Sequence, residues 1–179
     1  DGLVLRGAMT YVWAERDALV DVSAVGVARL DMGRAVDERL VLQARAATPS
    51  WRSIYGRLVL RVDWDMRHND SQRTFVSLGG DNGLRSYPAQ HFYTLGGSRW
   101  IANLEYRSQP CVFESVHVGF VVFYDAGAVY EDFAKRLGGQ AVGAGLRAML
   151  PQFNRGVFLL DVGAPLDARC IAVLVSYGS

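Results

Sequence analysis

"RLVLRVDWD", residues 57–65, decides how this chain folds. Leu58, Leu60, Val62 and Trp64 fall on one side, against Arg57, Arg61, Asp63 and Asp65 on the other. Successive side chains of a strand point to opposite faces, so this spacing describes a ribbon with one apolar and one charged face. The pattern recurs on both sides of it. In 19–32, Val20, Val22, Ala24, Gly26, Ala28 and Leu30 oppose Asp21, Ser23 and Arg29. In 99–107, Trp100, Ala102, Leu104 and Tyr106 oppose Arg99, Asn103, Glu105 and Arg107. In 157–166, Phe158, Leu160, Val162, Ala164 and Leu166 oppose Asp161.

Nine segments read as strands: 3–15, 19–31, 38–47, 55–66, 99–107, 116–129, 140–150, 156–166 and 170–178. Several reach the roughly 9–11 residues that a tilted strand needs to cross a bilayer. Ordinary globular strands average about 5–6 residues. The best helical signal, "YEDFAKRLGG" at 130–139 with Gly138 as a C-cap, predicts one short helical turn in a loop. Alternation alone leaves open which face points outward. A soluble up-and-down barrel puts its charges outside. A transmembrane barrel puts lipid against the apolar face and water against the charged one. Mixed charges collected on one face of strands this long are more simply explained by a wet lumen.

Composition narrows the function classes. At 179 residues the chain is one domain or a piece of one, and 50% hydrophobic content allows a large buried surface. A net charge of +1 lacks the basic excess of a nucleic-acid binder. Nineteen glycines and five prolines suit twisted strands and tight turns. Cys111 and Cys170 form no CxxC, and His68, His91 and His117 are scattered, so no zinc spacing is present. The cysteines read as small packing residues. No stretch has the roughly 18 apolar residues of a spanning helix. The chain opens in mid-pattern, at "DGLVLRGAMTYVW", as a trimmed piece would.

No enzyme signature is present. "GAGLRA" lacks the third glycine of a dinucleotide loop, and GxSxG, P-loop and HExxH patterns are absent. Asp63 and Asp65 resemble a catalytic carboxylate pair only in spacing; their shared parity makes them charges on one strand face. No catalytic residue, metal or cofactor is expected.

The loop "LGGDNGLRSYP", 78–88, raises a separate question: why does a segment so rich in turn residues carry an arginine between Leu84 and Tyr87? It is followed in order by "TLGGSRWIANLEYRSQP", "VGFVVFYDAGAVY", "AVGAGLRAMLPQFNRGVFLLDVGAPLD" and "CIAVLVSYGS". In that order the chain resembles the C-terminal half of the outer-membrane assembly and translocation barrels. This bacterial surface antigen superfamily includes BamA, TamA, the two-partner secretion transporters and the organellar import channels. The resemblance is strong over 75–179 and weak over 1–74. It implies an all-β fold: the C-terminal portion, about nine strands, of an antiparallel transmembrane β-barrel with a long loop folded into its lumen. All of 1–179 would belong to that one barrel domain, the remaining strands coming from elsewhere.

The resemblance implies site residues as well. The family's Arg-Gly-aromatic triplet corresponds to Arg85, Ser86 and Tyr87, and its Phe-x-Asp-x-Gly motif to Phe123, Asp125 and Gly127. An arginine fork on a carboxylate gives an infolded loop direction as well as strength. Glu105 shares the parity of the charged face and can share the arginine; the plain alternative for Asp125 is a pair with Arg147. Gly127 and Gly119 leave room for the loop. Ser86 departs from the family's glycine and predicts a differently shaped tip if the backbone there has positive φ. Tyr177-Gly178-Ser179 departs from the family's terminal aromatic residue. Loop 78–98 would face the outside, the turn at 108–115 with Cys111 the periplasm, and Cys170 would follow a short outer loop. The implied partners are the lipid bilayer, client proteins or strands, and N-terminal periplasmic modules of the same chain, at the bacterial outer membrane. Two alternatives remain: a barrel anchoring a fused patatin-type lipase, and a soluble ligand-binding β-barrel.

Overall fold

Uninterrupted alternation commits each segment to a long strand, and nine such strands form among the described residues. They are β1 (Leu3–Glu15), β2 (Ala18–Asp31), β3 (Arg34–Ala47), β4 (Gly56–His68), β7 (Ser98–Ser108), β9 (Val116–Tyr130), β10 (Arg136–Met149), β11 (Val157–Pro165) and β12 (Ala172–Gly178). Three short strands lie between them: β5 (Phe75–Leu78), β6 (Phe92–Leu95) and β8 (Cys111–Phe113). The structure, a computed structural model, describes residues 3–15, 17–32, 34–53, 55–80, 83–131, 135–150, 157–167 and 171–178.

The long strands form one antiparallel sheet in the order β1-β2-β3-β4-β7-β9-β10-β11-β12, with β8 pairing β9. β5 and β6 pair only with each other. They belong to the 30-residue-scale excursion between β4 and β7, so the sheet passes directly from β4 to β7 while the intervening chain folds back over one face. Among the described residues, β1 and β12 each pair along one edge alone.

Register separates the faces. One line runs Trp13, Val20, Ala46, Leu60, Leu104, Tyr124, Val142 and Ala164 across eight strands without meeting a charge. The line one residue along runs Val12, Asp21, Arg45, Arg61, Asn103, Asp125, Ala141 and Pro165, and it carries most of its polar groups in the middle of the sheet. The apolar face is the exposed one: Leu104 is 43% exposed, Leu146 51% and Val175 73%. The hydrophobic core lies instead on the polar face, where Val76, Leu78, Leu84 and Tyr87 of the excursion pack on Ile101, Val129 and Ala141. Leu78 and Leu84 are fully buried, each contributing about 1.5–3 kcal/mol.

Two expectations fail in this region. The helical turn at 130–139 does not form over 136–139, which pair as strand with 127–130; residues 132–134 lie outside the described set. Gly138 is no C-cap: it sits opposite Ala128 inside β10. A Cβ there would press on the Gly127 carbonyl and on Ala128 Cβ at 2.6 Å. Its role is close approach of two strands rather than helix termination.

Candidate functional site

The excursion is shaped before it is latched. Gly79 has φ +130, which favours glycine, and a Cβ there would meet the Pro88 carbonyl. Gly80 N–H then donates to the Tyr87 carbonyl at 2.8 Å, and Tyr87 N–H to the Leu84 carbonyl at 3.2 Å. These bonds hold Tyr87 against Gly80 and Leu84, with Leu84 buried in the core and Arg85 next to it in the chain.

Arg85 reaches three strands. Its Nε and Nη2 donate to the two Asp125 oxygens at 2.8 and 2.7 Å, a fork on one carboxylate. Its Nη1 donates to Glu105 Oε1 on β7 at 2.7 Å and to Asp161 Oδ2 on β11 at 3.4 Å. The guanidinium lies 3.7 Å from the Phe123 ring centroid, adding a cation–π contact. Asp125 also accepts from Asn103 Nδ2 at 2.8 Å and from the Arg85 backbone N–H at 3.4 Å. Asn103 in turn donates to the Gly83 carbonyl at 2.9 Å, so one amide ties the strand carboxylate to the loop backbone.

The charges of this cluster cancel. Arg107 bonds Glu105 Oε2 through Nε at 2.7 Å. Arg147 clamps Asp161 through both terminal nitrogens. Three arginines therefore face three carboxylates, which are otherwise costly to desolvate; the Asp125 side chain is 0% exposed and that of Arg85 13%. Arg147 pairs with Asp161 and not with Asp125, because Arg147 sits opposite Gly119 and Leu159, well along the strand from the Asp125 level.

Tyr87 extends the attachment. Its hydroxyl donates to the Gln140 carbonyl at 3.1 Å and bonds the Asp167 carboxylate. Its ring packs against His91 and Phe92, with centroids 5.4 and 5.0 Å away. The floor beneath the loop is glycine. A Cβ on Gly139 would enter the Tyr87 ring, one on Gly163 the Ser86 hydroxyl, one on Gly143 the Phe123 ring. Gly127 makes room for Leu78 Cδ1, 3.3 Å from the Cβ position. Gly119 does not serve this purpose: its nearest neighbours are Ser108 Oγ at 3.5 Å and Pro110, far from the loop tip.

All seven residues expected at the site, Arg85, Ser86, Tyr87, Glu105, Phe123, Asp125 and Gly127, thus come together on one face. Ser86 is not among the positive-φ residues, so serine carries no backbone strain there. It is 1% exposed, and its Oγ has no hydrogen-bond partner among the described residues. Sequence reasoning missed Asn103 and Asp161 as partners of the latch, and the glycines at 139, 143 and 163. The odd-numbered parity of those glycines in β10 and β11, shared with Ala141 and Asp161, was the available signal. Cys170 lies outside the described residues, and Cys111 is exposed on β8.

The cluster ties the loop to three strands. Glu105, Asp125 and Asp161 are each engaged by at least one arginine. No family model, curated protein or solved structure matches this chain.

Proposed function

We propose that residues 1–179 form the C-terminal part of an outer-membrane β-barrel of the bacterial surface antigen type, which inserts or translocates other proteins. The observation that carries this reading is the pairing of two opposite environments on one sheet. A loop arginine is buried on carboxylates from β7, β9 and β11 on the charged face, while the other face exposes rows of Leu, Val, Phe and Tyr.

On this reading the exposed apolar rows meet lipid and the charged face lines a lumen. Trp64, whose Nε1 donates to Tyr130 at 2.7 Å, stands opposite Trp100, near one end of the band. Tyr106 and Phe120, with centroids 5.7 Å apart, stand toward the other. Amphipathic rings at both ends of an apolar band suit two membrane interfaces. The loop enters from the outer side, and the 108–115 turn faces the periplasm. Hydrocarbon does not tolerate an unpaired strand edge, so β1 and β12 meet each other, further strands or a client strand.

The test uses the intact protein in lipid vesicles. Lipids brominated along the acyl chain are expected to quench Trp64 and Trp100 fluorescence, with shallow bromines quenching more than deep ones. The same vesicles are expected to assemble a denatured barrel client into a protease-resistant form, several-fold more slowly with Arg85→Ala. Absence of quenching removes the membrane assignment; unchanged assembly rates with Arg85→Ala remove the role of the latch.

A further inference from the structure

Away from the latch, the polar face presents arginines in opposed pairs. Arg45 of β3 stands directly across from Arg61 of β4, and Arg57 of β4 directly across from Arg107 of β7. Like charges directly opposite on one face are destabilising. Arg61 is engaged by Asp63 at 2.6 Å and Arg107 by Glu105 at 2.7 Å. Arg45 and Arg57 have no carboxylate within ion-pair distance among the described residues, although Asp21 occupies the register position next to Arg45 on β2.

These side chains border open space. A cavity of about 500 Å³ is lined by Arg45, Arg57, Arg61 and Arg107 together with Glu105 and the small apolar floor Leu19, Ala47 and Val59. A second, of about 610 Å³, shares Arg57 and Arg107 with the first and continues past Arg147 and His117, with Asp17 its acidic member. The two form a trough along β4 and β7, leading from under the loop toward the 108–117 end.

We infer that this trough binds an extended acidic polypeptide segment. Arg57 and Arg61 are four positions apart, which places the two opposed pairs roughly 13 Å apart along the strands. A single small anion satisfies one pair only. A peptide in extended conformation with carboxylates four residues apart meets both, each guanidinium fork donating to a carboxylate, while small side chains between them cover the Leu19–Ala47–Val59 floor. An acyl-bearing phosphate ligand fits less well, because this face gives its hydrocarbon nowhere to go. This assignment concerns the charged face alone and holds whether or not the opposite face meets lipid.

The probe is a fluorescein-labelled ten-residue peptide of alternating threonine and valine with glutamate at positions 3 and 7, titrated with the intact protein in detergent micelles and read by fluorescence anisotropy. Saturable binding is expected, weakened at least tenfold by Arg45→Gln combined with Arg57→Gln and by replacing both glutamates with glutamine. The variant is expected to melt at the same or a higher temperature than the parent, since the substitutions relieve repulsion; a purely structural role predicts a lower one. Equal binding of the glutamate and glutamine peptides overturns the inference. So does unchanged binding by the double variant. Full competition by inorganic phosphate at the same site occupancy shows a small-anion site and overturns it too. Failure of tryptophan quenching by brominated lipid leaves these readouts unaffected, so the two assignments stand or fall separately.

Discussion

Arg85 grips Asp125 with two parallel bonds of 2.8 and 2.7 Å while its remaining nitrogen spans Glu105 and Asp161. One side chain from a loop therefore neutralises charge on three strands, β7, β9 and β11. Removing it leaves buried carboxylates facing one another. Arg85→Ala or Asp125→Ala is expected to destabilise by about 3–5 kcal/mol, the usual cost of breaking one half of a buried pair. The double variant is expected to be little worse than either. Urea unfolding of the intact protein measures the cycle, and fully additive losses count against a direct pair. Arg85→Lys is not expected to rescue, since an ammonium cannot reproduce the fork.

The glycine floor gives a second prediction. Gly139→Ala puts a methyl into the Tyr87 ring, whereas Gly119→Ala meets nothing closer than 3.5 Å. Overpacking of this kind costs about 1–3 kcal/mol. Trypsin is expected to cut after Arg85 many-fold faster in Gly139→Ala, and at the parental rate in Gly119→Ala. Equal rates in the two variants contradict the docked arrangement.

Ser86 makes the third. Its hydroxyl is buried with no partner among the described residues, a condition that costs about 1–3 kcal/mol. Ser86→Ala is expected to slow trypsin cleavage after Arg85. Ser86→Gly is expected to gain less, because φ is not positive there and glycine adds unfolded-chain freedom.

Leu104 separates lipid from water as the surrounding of the apolar face. It is 43% exposed on the central strand β7. Leu104→Arg costs about 2–4 kcal/mol near a bilayer midplane, but an exposed substitution in water stays within about 0.5 kcal/mol. Unfolding in vesicles reads the difference directly.

Acid acts at the base of the loop. Burial alone pushes Asp70 upward, but the hydrogen bonds from Thr74, the Gln72 N–H and the Arg67 charge outweigh it and hold the carboxyl below its ordinary 3.8. A lowered folded value means that this contribution is full above about pH 4 and disappears as pH falls through the folded pKa. Proteolysis of 69–74 is therefore expected to accelerate below pH 4 in the parent, and Asp70→Asn is expected to flatten that profile.

Much of this was legible because alternation is a local signal. β4 and β7 announce themselves residue by residue, and Arg85 and Asp125 sit in recognisable motifs. What was not legible depends on register. Asp161 joins the latch only because Arg107, Val121, Gly145 and Asp161 fall on one line across four strands. Gly138 looked like a helix stop because its partner Ala128 is ten residues away in a hairpin whose turn carries no clear signature. The hairpin of β5 and β6 is four residues a side, too short for periodicity to separate it from loop.

The partners of Arg85 lie 20, 40 and 76 positions further along the chain. The full set of bonds therefore forms only once β7, β9 and β11 have paired, since contacts of such long range come late and slowly. Until β11 is in register, Arg85 has two carboxylates rather than three, and its guanidinium lacks the contact that ties the loop to the far side of the sheet.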